Sequence, residues 1–163
     1  MISSTLIYIE KDEKYLMLHR VRKKNDVNKD KWIGVGGKFE AGETPEACAR
    51  REVMEETGLT LDELTYRGVV RFESNEAETE DMHLFSSRAF HGDIIDCDEG
   101  VLEWIEKKRL FNLQLWEGDR IFLYLLHVGA PFFQLYLRYE GDRLAEAKLD
   151  GKLIELPFTK TIE

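Results

Sequence analysis

The chain carries the stretch GKFEAGETPEACARREVMEETGL at residues 37–59. It fits the pattern Gly-x5-Glu-x7-Arg-Glu-apolar-x-Glu-Glu-x-Gly-apolar, which we call the box. The residues that the pattern specifies are Gly37, Glu43, Arg51, Glu52, Val53, Glu55, Glu56, Gly58 and Leu59. So many specified positions at fixed spacing form a strong signal, far more specific than a lone glycine motif.

The second half of the box is predicted to be a helix with acids gathered on one side. Thr44 is a good N-cap, Pro45 suits the first helical position, and Gly58 suits the left-handed residue that ends a helix. We expect the opposite side to pack against a sheet through Ala47, Val53 and Met54. Because each helical residue turns by about 100°, one arc of about 140° holds Arg51, Glu55, Glu52 and Glu56.

This crowding of carboxylates favours a metal site. Like charges spaced i,i+4 on an exposed helix repel each other by roughly a few tenths of a kcal/mol. A hard cation relieves that repulsion, and carboxylates together with substrate phosphates are what Mg2+ prefers. The alternative is a solvated acidic face, which would not require Gly37, Arg51 and Gly58 at fixed spacings.

The box resembles the defining motif of the Nudix hydrolases, a family that uses divalent metal to cleave nucleoside diphosphates linked to another group. Strands outnumber helices in the sequence pattern, which favours an α+β fold. The resemblance implies more: a Nudix fold, with a mixed sheet between helices, and Mg2+ as cofactor with Mn2+ as the alternative. We expect one such domain over residues 1–163.

The resemblance also implies which residues act. Catalytic roles are expected for Glu52, Glu55, Arg51 and Glu99, and metal ligation for the Gly36 carbonyl, Glu52, Glu55, Glu56 and Glu99. Arg51 is expected to orient the acids, since its fork can hold a carboxylate with two hydrogen bonds. Glu43 resembles an acid that fixes the loop on the helix. For the acid outside the box, Asp98 and a merely solvated loop are the alternatives to Glu99.

Three further segments extend the resemblance to the MutT-type oxidised-purine nucleoside triphosphatases. They are residues 32–38 (WIGVGGK), 71–73 (RFE) and 115–119 (LWEGD). Such enzymes convert 8-oxo-dGTP to its monophosphate and pyrophosphate, in nucleotide-pool sanitation that serves DNA repair, so a small nucleotide is the expected partner. One alternative is a Nudix hydrolase whose substrate is a nucleotide sugar or a dinucleotide. Another is a non-catalytic regulator that binds a nucleotide.

A base pocket is expected around Trp116. An aromatic ring stacks on any base, and a carboxyl can bond a base edge, so Trp116 and Asp119 are candidates for these roles. Phe72 is a second stacking candidate. The alternatives are core aromatics for Trp116 and Phe72, and a helix N-cap for Asp119.

Two positions depart from the vertebrate members of that group. The vertebrate members carry an asparagine, which contacts the base, at the position of Ile33. They carry adjacent aspartates at the positions of Gly118 and Asp119. Asp119 then acts alone, or the pocket accepts a different nucleotide.

Basic residues near the glycines at 34–37 are candidates to meet phosphates. Lys38 is one, while for Arg20 and Lys23 a solvated surface position is the preferred interpretation.

Composition excludes other classes of protein. A formal net charge of −9 argues against a nucleic-acid polymer as partner. We expect no membrane span, no signal peptide, and reduced thiols at Cys48 and Cys97, hence a cytoplasmic protein. The oligomeric state is left open.

The remaining elements follow from periodicity. A hairpin is predicted from Thr5–Ile9 and Tyr15–His19, and another from Phe132–Tyr139 and Arg143–Lys148. Single elements are predicted at Tyr66–Glu73 and Met82–Phe90 (strands), Asp119–His127 (helix) and Leu102–Leu110 (strand or short helix).

Overall fold

The computed structural model describes residues 1–22, 24–26 and 28–163. The strands are β1 (Ile2–Lys11), β2 (Lys14–His19), β3 (Trp32–Ile33), β4 (Thr60–Leu61), β5 (Thr65–Ser74), β6 (Glu80–Ser87), β7 (Phe90–His91), β8 (Val101–Glu106), β9 (Phe133–Glu140), β10 (Arg143–Leu149) and β11 (Lys152–Leu153). The helices are α1 (Pro45–Thr57), α2 (Glu117–His127) and a 3-10 helix at Lys107–Asn112.

Nine of these strands form one mixed sheet. Its order is β11-β10-β9-β5-β6-β1-β2-β3, and β8 pairs with β2. The pairs β1–β6 and β5–β9 are parallel, and the other neighbours are antiparallel. The mixed sheet with helices confirms the expected α+β class.

Strand β1 is buried on both faces. Leu6 and Tyr8 belong to the hydrophobic core that includes α2, whereas Ile7 and Ile9 belong to the core that includes α1. Because successive side chains of a strand point to opposite faces, a strand between two helices needs apolar residues at every position. The run from Leu6 to Ile9 therefore holds α1, which carries the box, and α2 in fixed relation.

Helix α1 has the predicted ends. The Thr44 side chain accepts a hydrogen bond from the Ala47 backbone N–H at 3.1 Å, and Gly58 ends the helix with φ of 81°. The predicted inward face is partly wrong, since Ala47 and Met54 are exposed. The buried face centres on Ala49 and Val53, and at about 100° per residue the two exposed side chains lie on the opposite side.

The other predicted elements are present, with shifts at their ends. Helix α2 begins at Glu117 and buries Ile121, Phe122, Leu123 and Leu126, while Leu125, which periodicity also places on the inward face, is half-buried. The ambiguous stretch contains both alternatives, because β8 is followed directly by the 3-10 helix. Sequence patterns did not predict β3, β4, β7 and β11, which are two residues long and are defined by their partners.

Both cysteines are buried and free. In the described part of the chain, we find no helix with the length and apolar character needed to cross a membrane.

Candidate active site

A cleft of about 1250 Å3 connects the box helix with the start of α2. Its lining includes Glu52, Glu56, Glu99, Phe72, Trp116 and Asp119. Residues far apart in the chain therefore share one cavity, whose lining includes both acids and aromatic rings.

Arg51 organises the acids at one end of this cleft. It holds Glu43 with two hydrogen bonds, Nε to Oε2 at 2.6 Å and Nη2 to Oε1 at 2.9 Å. It also bonds Glu52 at 2.7 Å and Glu55 at 3.1 Å. The hydrogen bond from Arg51 lowers the pKa of Glu43 to about 2, so Glu43 stays ionised. Since Glu43 also accepts the Glu40 backbone N–H at 2.7 Å, it fixes the loop on the helix.

The glycine loop packs directly on one of these acids. A Cβ placed on Gly37 would lie 2.5 Å from Cδ of Glu52, so only glycine allows this approach. Burial raises the pKa of Glu52 from its usual value, and Arg51 opposes that rise. The loop at residues 34–37 thus partly dehydrates a carboxylate that faces the cleft.

Glu56 and Glu99 lie next to each other at the acidic end. Glu56 is buried and accepts the Gly36 backbone N–H at 3.2 Å. Burial, with a hydrogen bond and the charge of Glu99, raises the pKa of Glu56. Asp98 is exposed, whereas Glu99 lines the cleft, and the role of Glu99 as the acid outside the box stays a prediction.

Arg20 is not a solvated surface residue, and that interpretation is wrong. Its Nη1 lies 3.1 Å from Oε2 of Glu99, and its Nε lies 2.6 Å from Oδ2 of Asp26. Its side chain is only 13% exposed, and it lines the cleft. Lys38 is exposed and also lines the cleft, while Lys23 lies outside the described residues.

The acidic end fits a hard cation. Within the described ranges, no three His, Cys, Asp or Glu side chains are gathered closely enough for a ready metal site. Arg51 and Arg20 hold several of the carboxylates instead. All the donors are nevertheless oxygens, and the crowding of Glu56 and Glu99 is the kind of repulsion that a divalent cation relieves.

Glu55 is placed differently from the other box acids. Its side chain is 57% exposed, it pairs with Arg51, and it is absent from the described lining of the cleft. Ligation by Glu55 stays a prediction, as does ligation by the Gly36 carbonyl, although Gly36 does line the cleft.

The aromatic end is built around Trp116. Its indole Nε1 donates to Oδ1 of Asn28 at 2.7 Å, and the Nζ of Lys31 lies 4.8 Å from the ring centroid. The edges of Phe72 and Tyr139 contact it, with centroids 6.0 and 5.3 Å away. Trp116 and Phe72 are half-buried against the core and also line the cleft. Each is therefore both a core aromatic and a candidate for stacking on a base.

Asp119 lies beside Trp116 in the lining and is only 6% exposed. Burial raises its pKa to about 8, although Lys31 and Arg120 oppose the rise. The N-cap alternative is wrong, because Trp116 is the N-cap of α2 and accepts the Asp119 backbone N–H at 3.1 Å. Asp119 is therefore a buried carboxyl that is largely neutral at pH 7.

The two departures from the vertebrate pattern have a structural setting. Ile33 is on β3 and lines the same cleft with an apolar side chain. At Gly118, an added Cβ would lie 2.5 Å from Cδ1 of Leu137 and 2.8 Å from Oη of Tyr139. A second aspartate cannot occupy this position without displacing those two residues.

Sequence patterns did not identify Asn28 and Lys31 as residues that contact Trp116. Both lie in the loop between β2 and β3, which reads only as a charged connection. Their contacts to Trp116 cross a long separation in the chain, 88 residues for Asn28, so no local signal identifies them.

Known proteins share the sequence pattern and the fold of this chain. The family model of the NUDIX domain matches residues 2–126. The oxidized purine nucleoside triphosphate hydrolase of Danio rerio is 37% identical over 130 residues, covering 78% of this chain and 83% of that protein. The protein of the same name from Mus musculus is 35% identical over 105 residues, covering 64% of this chain and 67% of its own length.

Solved structures share the fold. A MutT protein from Bacillus halodurans superposes with a TM-score of 0.83 at 23% identity, covering 93% of this chain and 99% of that one. A MutT protein from Methanosarcina mazei Go1 has a TM-score of 0.69 at 24% identity, covering 78% and 94%. With its box, its cleft and these relatives, the chain belongs to the Nudix hydrolase family.

Proposed function

We propose that the protein is a Mg2+-dependent nucleoside triphosphate pyrophosphohydrolase that converts 8-oxo-dGTP to 8-oxo-dGMP and pyrophosphate. The observation that carries this proposal is the single cleft, in which box acids and Trp116 with Asp119 lie together. The names of the relatives at 37% and 35% identity support the same substrate class.

The metal would be held at the acidic end. Glu52, Glu56 and Glu99 are the proposed carboxylate ligands, joined by Glu55 and the carbonyl of Gly36. A bound divalent cation there would polarise phosphoryl oxygens and lower the pKa of a bound water.

Residues of the chain itself orient the acids and accept a proton. Arg51 keeps Glu52 in place while Glu43 keeps Arg51 in place, so the acid face is set before substrate arrives. Glu99 is the proposed acceptor for the proton of the attacking water, since it lines the cleft beside Glu56. Lys38 at the exposed rim is the proposed contact for the triphosphate.

Base recognition is proposed for the other end. Trp116 would stack on the purine, with Phe72 at its edge. Asp119 is a neutral carboxyl below about pH 8, and in that form it can both donate and accept a hydrogen bond.

The test is a panel of canonical and oxidised nucleoside triphosphates with Mg2+, in which products are identified. We expect preference for an oxidised purine, with a nucleoside monophosphate and pyrophosphate as the first products. Inorganic phosphate as first product would refute the proposal. Turnover of nucleotide sugars or dinucleotides alone would indicate another Nudix activity, and no hydrolysis at all would indicate a binding protein.

A further inference from the structure

Asn28 is fixed at the edge of the cleft by two hydrogen bonds. Its backbone N–H donates to Oδ1 of Asp26 at 3.0 Å, which sets the loop. Its side-chain Oδ1 accepts from the indole of Trp116 at 2.7 Å. Asn28 is half-buried and lines the cleft together with Trp116 and Asp119.

The contact with Trp116 determines which way round the Asn28 amide lies. An indole N–H is only a donor, so the amide atom that faces it must be the oxygen. The amide nitrogen, with its two N–H groups, is then directed away from the indole. No residue in the described part of the chain accepts a hydrogen bond from it.

A fixed donor that has no acceptor among the described residues discriminates between ligands. Purines differ at their edges in whether they present a carbonyl oxygen, which accepts, or an amino group, which donates. The Nδ2 group carries only donors, so it can satisfy only an acceptor on a ligand that faces it. A ligand that presents an amino group there would leave donor facing donor, which costs binding free energy.

We propose that Asn28 is a specificity-determining residue whose Nδ2 donates a hydrogen bond to a carbonyl oxygen of a purine stacked at Trp116, which favours oxopurines over aminopurines. The inference rests on the proposed function in one respect, that the cleft binds a purine nucleotide. It adds a donor that no local motif identifies.

The test uses binding without turnover. The full-length protein in EDTA is titrated calorimetrically with 8-oxo-dGMP, dGMP and dAMP. We expect the wild type to bind both oxopurine nucleotides more tightly than dAMP. In Asn28→Asp, an oxygen still accepts the Trp116 indole while the donor is lost, so the oxopurine preference should fall about ten- to hundredfold.

Asn25→Asp is the matched control, because Asn25 is exposed on the same loop and the charge change is identical. Its preference should equal that of the wild type. Asn28→Ala, which removes both donor and anchor, should weaken all three nucleotides and also lose the preference.

Three results would overturn the inference. In the first, Asn28→Asp and Asn25→Asp show the same oxopurine preference. In the second, Asn28→Ala loses affinity for all three nucleotides uniformly and keeps the preference. In the third, the wild type binds the purine nucleotides without any oxopurine preference. By contrast, preferential binding of oxopurine monophosphates without hydrolysis of any triphosphate would count against the proposed function alone.

Discussion

Glu56 stands at the boundary between the acid face and the core of α1. Glu56 is buried, and both a hydrogen bond with Glu99 and the charge of Glu99 raise its pKa. Without a cation, ionisation of Glu56 is therefore unfavourable. The same burial that costs stability shields a bound metal from water and so strengthens its interaction with the carboxylates. The burial of Glu56 therefore lowers the stability of the folded protein while it favours the proposed metal binding.

Replacement of Glu56 by Gln tests this conflict. We expect turnover at limiting Mg2+ to fall by about a hundredfold or more, since metal stabilisation is worth several kcal/mol. The fold should survive, because a crowded acid has been removed. Glu46→Gln, on the same helix but exposed, should retain activity. We expect the same loss of turnover for Glu55→Gln, and near wild-type turnover in either box variant would remove that acid from the site.

The raised pKa of Asp119 predicts a pH dependence of stability. The folded protein holds this proton up to about pH 8, whereas an unfolded chain releases it near the ordinary value of 3.8. The contribution is therefore fully present below about pH 4 and is lost as pH rises to 8, with a limiting slope of about 1.4 kcal/mol per pH unit. Urea unfolding in EDTA from pH 5 to 9 should show a flatter curve for Asp119→Asn than for wild type.

The control for that curve is Asp98→Asn, an exposed site, which should follow the wild-type curve. If Asp119→Asn keeps the wild-type slope, Asp119 is ionised in the folded protein and the neutral-carboxyl argument fails.

Base discrimination should separate Asp119 from Trp116. Asp119→Ala should reduce the preference for oxidised over ordinary dGTP about ten- to hundredfold, the usual effect of losing a directional hydrogen bond. Trp116→Ala should weaken all nucleotides alike, since stacking is indifferent to base identity. kcat/KM over the nucleotide panel measures both. An Asp119→Ala enzyme that is less stable but keeps its substrate ranking would show a purely structural role.

Among the elements, α1 performs two tasks with two faces. Ala49 and Val53 pack on β1, while Glu52 and Glu55 face away from that core. Because α1 must keep one face on β1 and the acids outside that contact, its rotation and its ends must be well determined. Thr44 and Gly58 supply those ends.

The end at Gly58 can be tested by substitution. Gly58 has φ of 81°, and an added Cβ would lie 2.7 Å from the backbone oxygen of Asp93. Gly42 has φ of 78° with open space around it, so it is a matched control. Gly42→Ala should cost about 1–2 kcal/mol in unfolding free energy through the left-handed backbone alone. Gly58→Ala should cost more, and equal losses for both would show that the contact with Asp93 relaxes freely.

At the scale of the whole molecule, the site joins parts that belong to different cores. The box acids lie on α1, above one face of the sheet, and Asp119 lies on α2, above the other. A ligand that bridges them binds only the folded protein, and it stabilises that state through mass action.

Metal binding should therefore raise thermal stability. Mg2+ at about a hundred times its dissociation constant should add about 2.7 kcal/mol relative to EDTA. Differential scanning calorimetry measures the shift in Tm, and Glu56→Gln should show a smaller shift. An identical Tm in EDTA and in Mg2+ would argue against a metal at these acids.

The sequence by itself determined the box helix, its ends and most of the long strands. These depend on local causes, namely the Thr44 cap, the left-handed Gly58 and the alternation or periodicity of apolar residues. The family and the candidate acids followed from the same stretch, because its spacing is specific.

The tertiary structure decided which candidates meet. It distinguished Glu99 from Asp98, excluded Glu55 from the described lining of the cleft, and brought Asn28 to Trp116 across 88 residues. It also turned α1 so that Met54 is exposed. These outcomes depend on burial and on contacts between distant segments, which no local pattern encodes, because the free energy of such contacts arises only when the sheet and both helices have packed.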